Sequence, residues 1–329
     1  MDLKFCEKVG LVYEGGKELT GNAVGYRNKC KSKRRLDGRV VVITGANQGI
    51  GKETALQLSL RGAKIIIGCR DLTKAENAIK DINETNPKAD IKALKLDLVS
   101  LKSVREFARQ VTENCNSIDI LINNAGVNIP ERRETDDGLE YQFGVNHLAH
   151  FLLTLLLLPL LRKASTGRVV NVASSVHRMG KIDFDDIQTV SRPYNMMAVY
   201  GSSKLAQILF TRELARRLGS DSNVNVYALH PGGVRTELAQ NVLSDNTNKI
   251  TGAVTNVMSK VFLLDIQSGA QTSLYCAIDE AVDNETGLYY ENCRRIDKMW
   301  PKAIDDESAK RLWDLSVDLV KLEDKYNLL

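Results

Sequence analysis

Short runs of Val, Ile and Leu alternate regularly with longer amphipathic stretches from about residue 40 onward. Because the runs contain few polar residues at alternate positions, they predict strands that are covered on both faces. The stretches between them have the length and spacing of helices. The alternation therefore predicts an α/β fold, a parallel sheet with right-handed crossovers and helices on both faces. The predicted strands cover residues 40–44, 64–69, 91–96, 118–123, 168–173 and 224–229, and the predicted helices cover residues 50–61, 72–84, 101–114, 139–162 and 200–218.

The composition suits a folded domain that follows a polar leader. Of the 329 residues, 43% are hydrophobic and 26% are charged, which excludes a disordered or fibrous chain. The strand pattern begins only after the leader has ended. We therefore predict a polar, basic leader over residues 1–36 and one domain over residues 37–329.

Positive charge is concentrated in the leader. Residues 27–39 hold seven basic residues and one acid, whereas the whole chain has a net charge of +4, so the remainder is slightly acidic. We expect no nucleic-acid partner, since such binding needs several basic residues gathered on the folded surface. The basic run either contacts an anionic membrane surface or is solvated, and we favour the solvated interpretation.

The cysteines and the apolar runs indicate where in the cell the protein is located. The six cysteines are far apart, with no CxxC pair and no histidine at zinc-ligand spacing, so neither a disulfide framework nor a metal site is predicted. The charged first residues do not resemble a signal peptide. The longest apolar run, residues 151–161, is shorter than the roughly 20 residues of a membrane span. We predict an intracellular, cytoplasmic location and leave open a peripheral association with the endoplasmic reticulum.

The first predicted strand leads into the glycine-rich sequence TGANQGIG, which opens the first predicted helix. Glycines spaced in this way let the backbone approach a pyrophosphate, and the helix N-terminus supplies free N–H groups. Ligands of parallel sheets bind beyond the carboxyl ends of the strands, where this turn lies. The sequence therefore predicts dinucleotide binding by Thr44, Gly45, Asn47, Gln48, Gly49, Ile50 and Gly51.

Three further strand ends extend this site. The second strand ends at Arg70 and Asp71, and an arginine there would hold a 2′-phosphate bidentately, which favours NADP(H) over NAD(H). In the alternative, Asp71 binds the ribose and Arg70 is solvated. Asp71 also suits the N-cap of the following helix, so we favour NADP(H). The remaining candidates are Asp97 and Leu98, which would contact the adenine, and Asn123, Ala125 and Gly126, which would lie along a ribose.

Tyr200 and Lys204 are four residues apart in the sequence YGSSK, which opens the last predicted helix. This spacing places both side chains on one helix face. A tyrosine with its ordinary pKa near 10 is a poor proton donor at neutral pH, but a neighbouring ammonium stabilises the phenolate. A lowering of the pKa by about 2 to 3 units lies within reach of a desolvated lysine and a nicotinamide cation. Many helices carry such a pair by chance, so the pair needs support from other residues.

That support comes from Ser174 and Asn146. Ser174 ends the fifth predicted strand, where its hydroxyl can hold a substrate oxygen against the tyrosine; the adjacent Ser175 is the less favoured alternative. Asn146 is a polar residue in a strongly apolar helical stretch, and a buried amide needs hydrogen-bond partners. Its role is either structural or to anchor a water that relays protons to Lys204.

In this order, TGANQGIG, NNAG, Asn146, Ser174 and YGSSK resemble the motif set of the short-chain dehydrogenase/reductase family. Within the family the chain resembles the retinol dehydrogenase-like group through GCRD, GVNHLAHFLLT, SKLAQILFTRELARRL and HPGGVRTEL, and the similarity covers about residues 36–320. The resemblance implies a single Rossmann-type domain. It also implies a catalytic tetrad of Asn146, Ser174, Tyr200 and Lys204, and hydride transfer between NADP(H) and a carbonyl or alcohol.

The resemblance also implies further contacts and partners. Tyr200 and Lys204 would contact the nicotinamide half of the cofactor, and Pro231, Gly232 and Thr236 would contact its carboxamide and phosphates. Apolar residues in the segment 232–265 suit a cover over a hydrophobic substrate, either retinal/retinol or another apolar lipid aldehyde. Relatives commonly form dimers or tetramers through the helices at residues 139–162 and 200–218, and the resemblance therefore implies a homo-oligomer, with a homodimer as the predicted form.

Other interpretations stay open at this point. The chain could be a cofactor-binding redox sensor or scaffold with little catalysis, or a lipid-surface adaptor that uses the basic leader. His177 either lines the entrance of the substrate pocket or packs within a loop, and we favour packing. The aromatic residue Trp313 is expected to pack the C-terminal segment. Similar proteins often carry an apolar anchor before the basic run. This sequence shows the basic run but no apolar anchor before it, so we do not expect insertion into a membrane.

Overall fold

The computed structural model describes residues 28–234 and 264–326, except for the side chain of Lys325. Its centre is an eight-stranded sheet with the strand order β3-β2-β1-β4-β5-β6-β7-β8. Neighbouring strands run parallel except for β8, which pairs antiparallel with β7. The strands are β1 Val40–Thr44, β2 Lys64–Cys69, β3 Asp90–Lys95, β4 Ile120–Asn123, β5 Gly167–Val172, β6 Val224–His230, β7 Leu288–Glu291 and β8 Arg294–Arg295.

Helices cover both faces of this sheet, as the sequence predicts. They are α1 Gly49–Ser59, α2 Leu72–Thr85, α3 Leu101–Asn114, α4 Tyr141–Leu161, α5 Met196–Leu218, α6 Ile266–Ile278 and α7 Asp306–Val320. One hydrophobic core contains buried side chains of α3, α4, α5 and α7, and the other contains those of α1, α2 and α6. This doubly wound, mostly parallel arrangement confirms the predicted fold class.

Side-chain caps fix where several helices begin. A capping oxygen accepts one of the N–H groups that lack a partner in the first helical turn. Asp71 accepts the Lys74 N–H at 3.0 Å and so starts α2. Asn195 accepts the Ala198 N–H at 3.0 Å and so starts α5. As a result, α5 begins four residues earlier than predicted, and Tyr200 lies in its second turn rather than at its start.

The helix α4 departs from regular α geometry at its beginning. Its residues Gly144–Leu148 form a π turn, in which the Ala149 N–H bonds to the Gly144 carbonyl. Such one-turn widenings are frequently found at functional sites. In length and composition α4 would suffice to cross a membrane, yet 94% of its most apolar window is buried in the fold. Here it is the central helix of a packed core.

The C-terminal third adds elements that the sequence pattern did not predict. These are β7, β8, α6 and α7. Helix α7 packs on α4 and α5, where Trp313 contacts Phe151 and Phe210 at centroid distances of 5.0 and 5.9 Å. This confirms the expectation that the aromatic residue packs the C-terminal segment.

Part of the basic run is used for packing. Arg34 forms ion pairs with Asp283 and Glu280, and Arg39 forms one with Asp119. Lys29, Lys31 and Lys33 are exposed, whereas Cys30, Ser32 and Arg34, which alternate with them, are partly or fully buried. Most of residues 1–36, and most of the expected substrate cover at 232–265, lie outside the described residues.

Candidate active site

The loops after β1, β2, β3, β4, β5 and β6 border one cavity of about 750 Å³ at the carboxyl edge of the sheet. This volume is in the range of a ligand site. Of the residues predicted to bind a cofactor, those that line the cavity are Gly45, Asn47, Gln48, Gly49, Ile50, Gly51, Arg70, Asp97, Leu98, Ala125, Gly126, Tyr200, Lys204 and Pro231. The structure thus brings together most of the predicted site.

The glycine-rich turn forms a close backbone cradle. Gly45 and Gly49 have positive φ angles of 67° and 57°, which favour glycine. A Cβ atom on Gly51 would lie 2.7 Å from the Gly45 carbonyl oxygen and 2.5 Å from Asn124 Nδ2. The first turn of α1 contains no acidic residue. Its N–H groups therefore suit an anionic pyrophosphate, so the residues present fit a dinucleotide.

Thr44 and Asn123 lie behind the cavity wall. The Thr44 hydroxyl accepts the N–H groups of Asn124 and Ala125, both at 3.0 Å, and is 2.9 Å from His150 Nε2. The Asn123 amide donates to Thr154 Oγ1 and Asn171 Oδ1. Both side chains are fully buried. They shape the loop that borders the cavity rather than line it.

The adenosine end of the cavity carries two cations. Arg70 and Lys74 are exposed and both line the cavity. Asp71 is committed to capping α2 through its bond to the Lys74 N–H. Lys74 was not among the sequence candidates. The signal that could have found it is its place one turn after Arg70, at the positive end of a helix dipole.

Tyr200 and Lys204 line the other end of the cavity, and Ser174, which is not among the lining residues, lies beside Tyr200. Tyr200, Ser174 and Lys204 are 8%, 8% and 3% exposed. The Ser174 side chain lies beside the Tyr200 hydroxyl and acts to lower its pKa. The Lys204 ammonium lies 5.6 Å from the centroid of the Tyr200 ring and donates to the Val172 carbonyl at 2.8 Å. The structure therefore places Ser174 next to the tyrosine, while Ser175 begins the following 3₁₀ turn.

Burial controls the electrostatics of this group. It raises the pKa of Tyr200 to about 12, and the neighbouring Ser174 side chain opposes that rise. Burial also lowers the pKa of Lys204 to about 7. The lowered tyrosine pKa that the sequence predicts is thus not a property of the chain alone, because desolvation outweighs the opposing effect of Ser174.

Asn146 lies in the π turn of α4 with both ends of its amide satisfied. Its Oδ1 accepts the Val127 N–H at 2.8 Å, and its Nδ2 donates to the Val127 carbonyl at 3.0 Å and to Ser203 Oγ at 2.9 Å. These bonds hold the loop after β4 against α4. Of the two roles considered for Asn146, these contacts therefore support the structural one.

His177 packs behind Ser174 and does not line the cavity. Its Nδ1 lies 2.7 Å from the Ser174 carbonyl oxygen, and its ring packs edge-on against Tyr289 at 5.1 Å.

Three predicted cofactor contacts follow β6. Pro231 lines the cavity, Gly232 follows it with a φ of 92°, and Thr236 lies outside the described residues. His150 and Gln207 also contact the tetrad. The sequence analysis assigned neither of them a role, because only the packing of α4 on α5 shows it.

Comparison with known proteins agrees with this geometry. A family model described as short chain dehydrogenase matches residues 39–247. Human retinol dehydrogenase 13 is 46% identical over 298 residues, 89% of this chain and 88% of that protein. Human retinol dehydrogenase 12 is 44% identical over 293 residues, 88% of this chain and 89% of that protein. A solved structure of an uncharacterized protein from Mycobacterium paratuberculosis, 35% identical, matches with a TM-score of 0.72 over 90% of this chain and 98% of that one.

The chain therefore belongs to the short-chain dehydrogenase/reductase family, whose members are oxidoreductases. Within the family it is similar to the retinol dehydrogenases. The resemblance drawn from the motifs is thus confirmed.

Proposed function

We propose that this oxidoreductase interconverts an aldehyde or ketone and its alcohol with NADP(H), and that its substrate is retinal/retinol or another apolar lipid aldehyde. The similarity to retinol dehydrogenases supports the retinoid assignment. Val127, Ile129 and Ile266 in the cavity lining support an apolar substrate.

One observation carries the proposal. Two buried hydroxyl groups, on Ser174 and Tyr200, lie beside each other next to a buried ammonium, at the edge of a cavity with a glycine-rich cradle. A carbonyl oxygen needs a hydrogen-bond donor to polarise it and an acid to protonate it. Ser174 and Tyr200 supply these two functions within reach of one atom.

A nicotinamide cofactor held by the glycine-rich turn would supply a hydride to the carbonyl carbon. Ser174 donates a hydrogen bond to the carbonyl oxygen and orients it, and Tyr200 transfers its phenolic proton to that oxygen. Lys204 then stabilises the phenolate left on Tyr200. In the oxidative direction the same groups act in reverse, with the phenolate as the base.

The main test uses Tyr200→Phe, which keeps the ring and removes the transferable proton. We expect at least a 10³-fold loss of kcat in NADPH oxidation with retinal, nonanal and a steroid ketone, while NADPH binding measured by fluorescence stays within threefold. Tyr194→Phe is the matched control, because Tyr194 is a half-buried tyrosine that does not line the cavity.

Near-normal turnover by Tyr200→Phe would contradict the catalytic assignment. Wild-type protein that binds NADPH but reduces none of the three substrates would instead favour a redox sensor or scaffold. Binding to anionic liposomes that survives in Tyr200→Phe, with no turnover by the wild type, would favour a lipid-surface adaptor.

A further inference from the structure

Gln207 lies between two members of the candidate tetrad. It follows Lys204 by three residues on α5 and is 1% exposed. Its Oε1 accepts a hydrogen bond from the Lys204 ammonium at 3.1 Å, and its Nε2 donates to the main-chain carbonyl of Asn146 at 2.8 Å. The two ends of one amide thus join a lysine on α5 to the π turn of α4.

The Asn146 carbonyl accepts hydrogen bonds from two side chains. Besides Gln207, it takes a bond from His150, whose Nδ1 lies 3.1 Å away. Because a carbonyl can only accept, Nδ1 carries the proton and Nε2 is left as an acceptor, which the Thr44 hydroxyl meets at 2.9 Å.

The Lys204 ammonium is similarly constrained. It has three N–H donors, of which one goes to the Val172 carbonyl and one to Gln207. The third is left for the cavity that Lys204 lines. Gln207 itself is not among the cavity-lining residues. It can therefore influence the reaction only through Lys204 and Asn146.

We propose that Gln207 is a positioning residue whose amide takes the place of a relay water between Asn146 and Lys204 and fixes the ammonium beside Tyr200. This inference rests on the proposed function. An amide that donates from Nε2 and accepts at Oε1 does not pass a proton on unless it rearranges to its imidic acid form. The proton that returns to Tyr200 consequently does not travel through the Asn146 carbonyl.

The first test is Gln207→Met, which keeps the length of the side chain and removes both polar ends. We expect kcat to fall at least tenfold, because the ammonium loses its anchor. We expect KM for the carbonyl substrate to change less than threefold, because Gln207 does not line the cavity. Ser316→Ala is the matched control: Ser316 is equally buried and bonds to the His147 ring on α4, and neither side chain lines the cavity or bonds to Lys204.

The second test is Gln207→Glu, which keeps the acceptor and places a carboxylate beside the ammonium. Two titratable groups face Lys204: Tyr200 on the same helix, and His150 on α4, whose pKa burial lowers to about 4 so that it stays neutral. A carboxylate favours the charged form of a lysine. We therefore expect the pKa of Lys204 to rise by at least one unit, followed by NMR of ¹⁵N-lysine-labelled, cofactor-free protein, with the signal identified through Lys204→Met.

A Gln207→Met enzyme with kcat within twofold of wild type, or a Lys204 pKa that does not move in Gln207→Glu, would overturn the proposal. If Gln207→Met does not fold, the titration of Gln207→Glu decides alone. The NMR measurement uses no substrate, so it distinguishes failure of this inference from failure of the proposed reaction, which the Tyr200→Phe comparison reports.

Discussion

Three cationic side chains in the described part of the chain line the cavity: Arg70, Lys74 and Lys204. At one end, Arg70 and Lys74 are exposed cations, and Asp71 between them is occupied as a helix cap. At the other end, Lys204 is buried and its pKa is lowered to about 7 by desolvation. Arg70 and Lys74 are placed to bind a phosphate group. The buried Lys204 ammonium is placed to stabilise a phenolate on Tyr200.

At the residue scale we predict that Arg70 and Lys74 share a 2′-phosphate. Replacing either by Gln should weaken binding of 2′,5′-ADP about 5- to 30-fold, since a charge-assisted hydrogen bond contributes roughly 1 to 2 kcal/mol at an exposed site. Binding of 5′-ADP should change less than twofold. Calorimetric titration measures both, and Lys80→Gln, an exposed lysine of α2 that does not line the cavity, is the control. Equal losses for the two nucleotides would refute the assignment.

Helices α4 and α5 are covered by α7 rather than exposed. All residues of Ala149–Leu161 are buried except Pro159. The contact is made by Trp313 against Phe151 and Phe210, and the Arg217 guanidinium lies 4.5 Å from the centroid of the Trp313 ring system. Arg105 on α3 donates to the carbonyls of Val320 and Lys321 and so holds the end of α7. The homodimer implied by the resemblance stays a prediction, and any pairing at this position has to include the outer face of α7.

At the element scale we predict that Trp313→Ala loosens α7 and destabilises the domain by about 3 to 5 kcal/mol, the usual cost of deleting a buried aromatic side chain. Urea unfolding followed by circular dichroism measures the loss. Lys310→Ala, on the exposed side of α7, should stay within about 0.5 kcal/mol of wild type. An unchanged unfolding midpoint in Trp313→Ala would show that α7 contributes little to the core.

Burial keeps His147, His150 and His177 in their neutral form. Burial lowers the pKa of His147 to about 3, and that of His150 and His177 to about 4, from an ordinary value of 6.5. Each ring nevertheless has a hydrogen-bond partner, on Ser316, Thr44 and Ser174 respectively. The fold therefore accepts these imidazoles only without a proton.

At the scale of the whole molecule this predicts acid sensitivity. Below pH 6.5 the unfolded chain binds protons that the folded chain does not, so the stability present above pH 6.5 is lost as the pH falls toward 4. Each histidine contributes about 1.4 kcal/mol per pH unit in that window. We expect a lower urea midpoint at pH 5.5 than at pH 7.5, and a weaker dependence in His147→Gln. A midpoint that is the same at both pH values would contradict this account.

The sequence alone determined the first six strands of the sheet, the helices between them and most of the cavity lining, since these follow from local signals: apolar runs, helix periodicity and glycines in a strand-to-helix turn. It placed Ser174, Tyr200 and Lys204 correctly at the edge of one sheet. It did not separate Thr44 and Asn123, which support the loop, from residues that line the cavity. It also missed β7, β8, α6 and α7.

Only the tertiary structure decided how the polar side chains between elements are paired. Gln207 and His150 both reach the carbonyl of Asn146 because α4 and α5 pack together at a π turn, and no local pattern in either helix encodes that meeting. The same holds for the pKa of Tyr200, which burial raises to about 12 although the spacing to Lys204 suggests the opposite. Desolvation depends on everything packed around a group, so the spacing of two residues along the chain does not determine it.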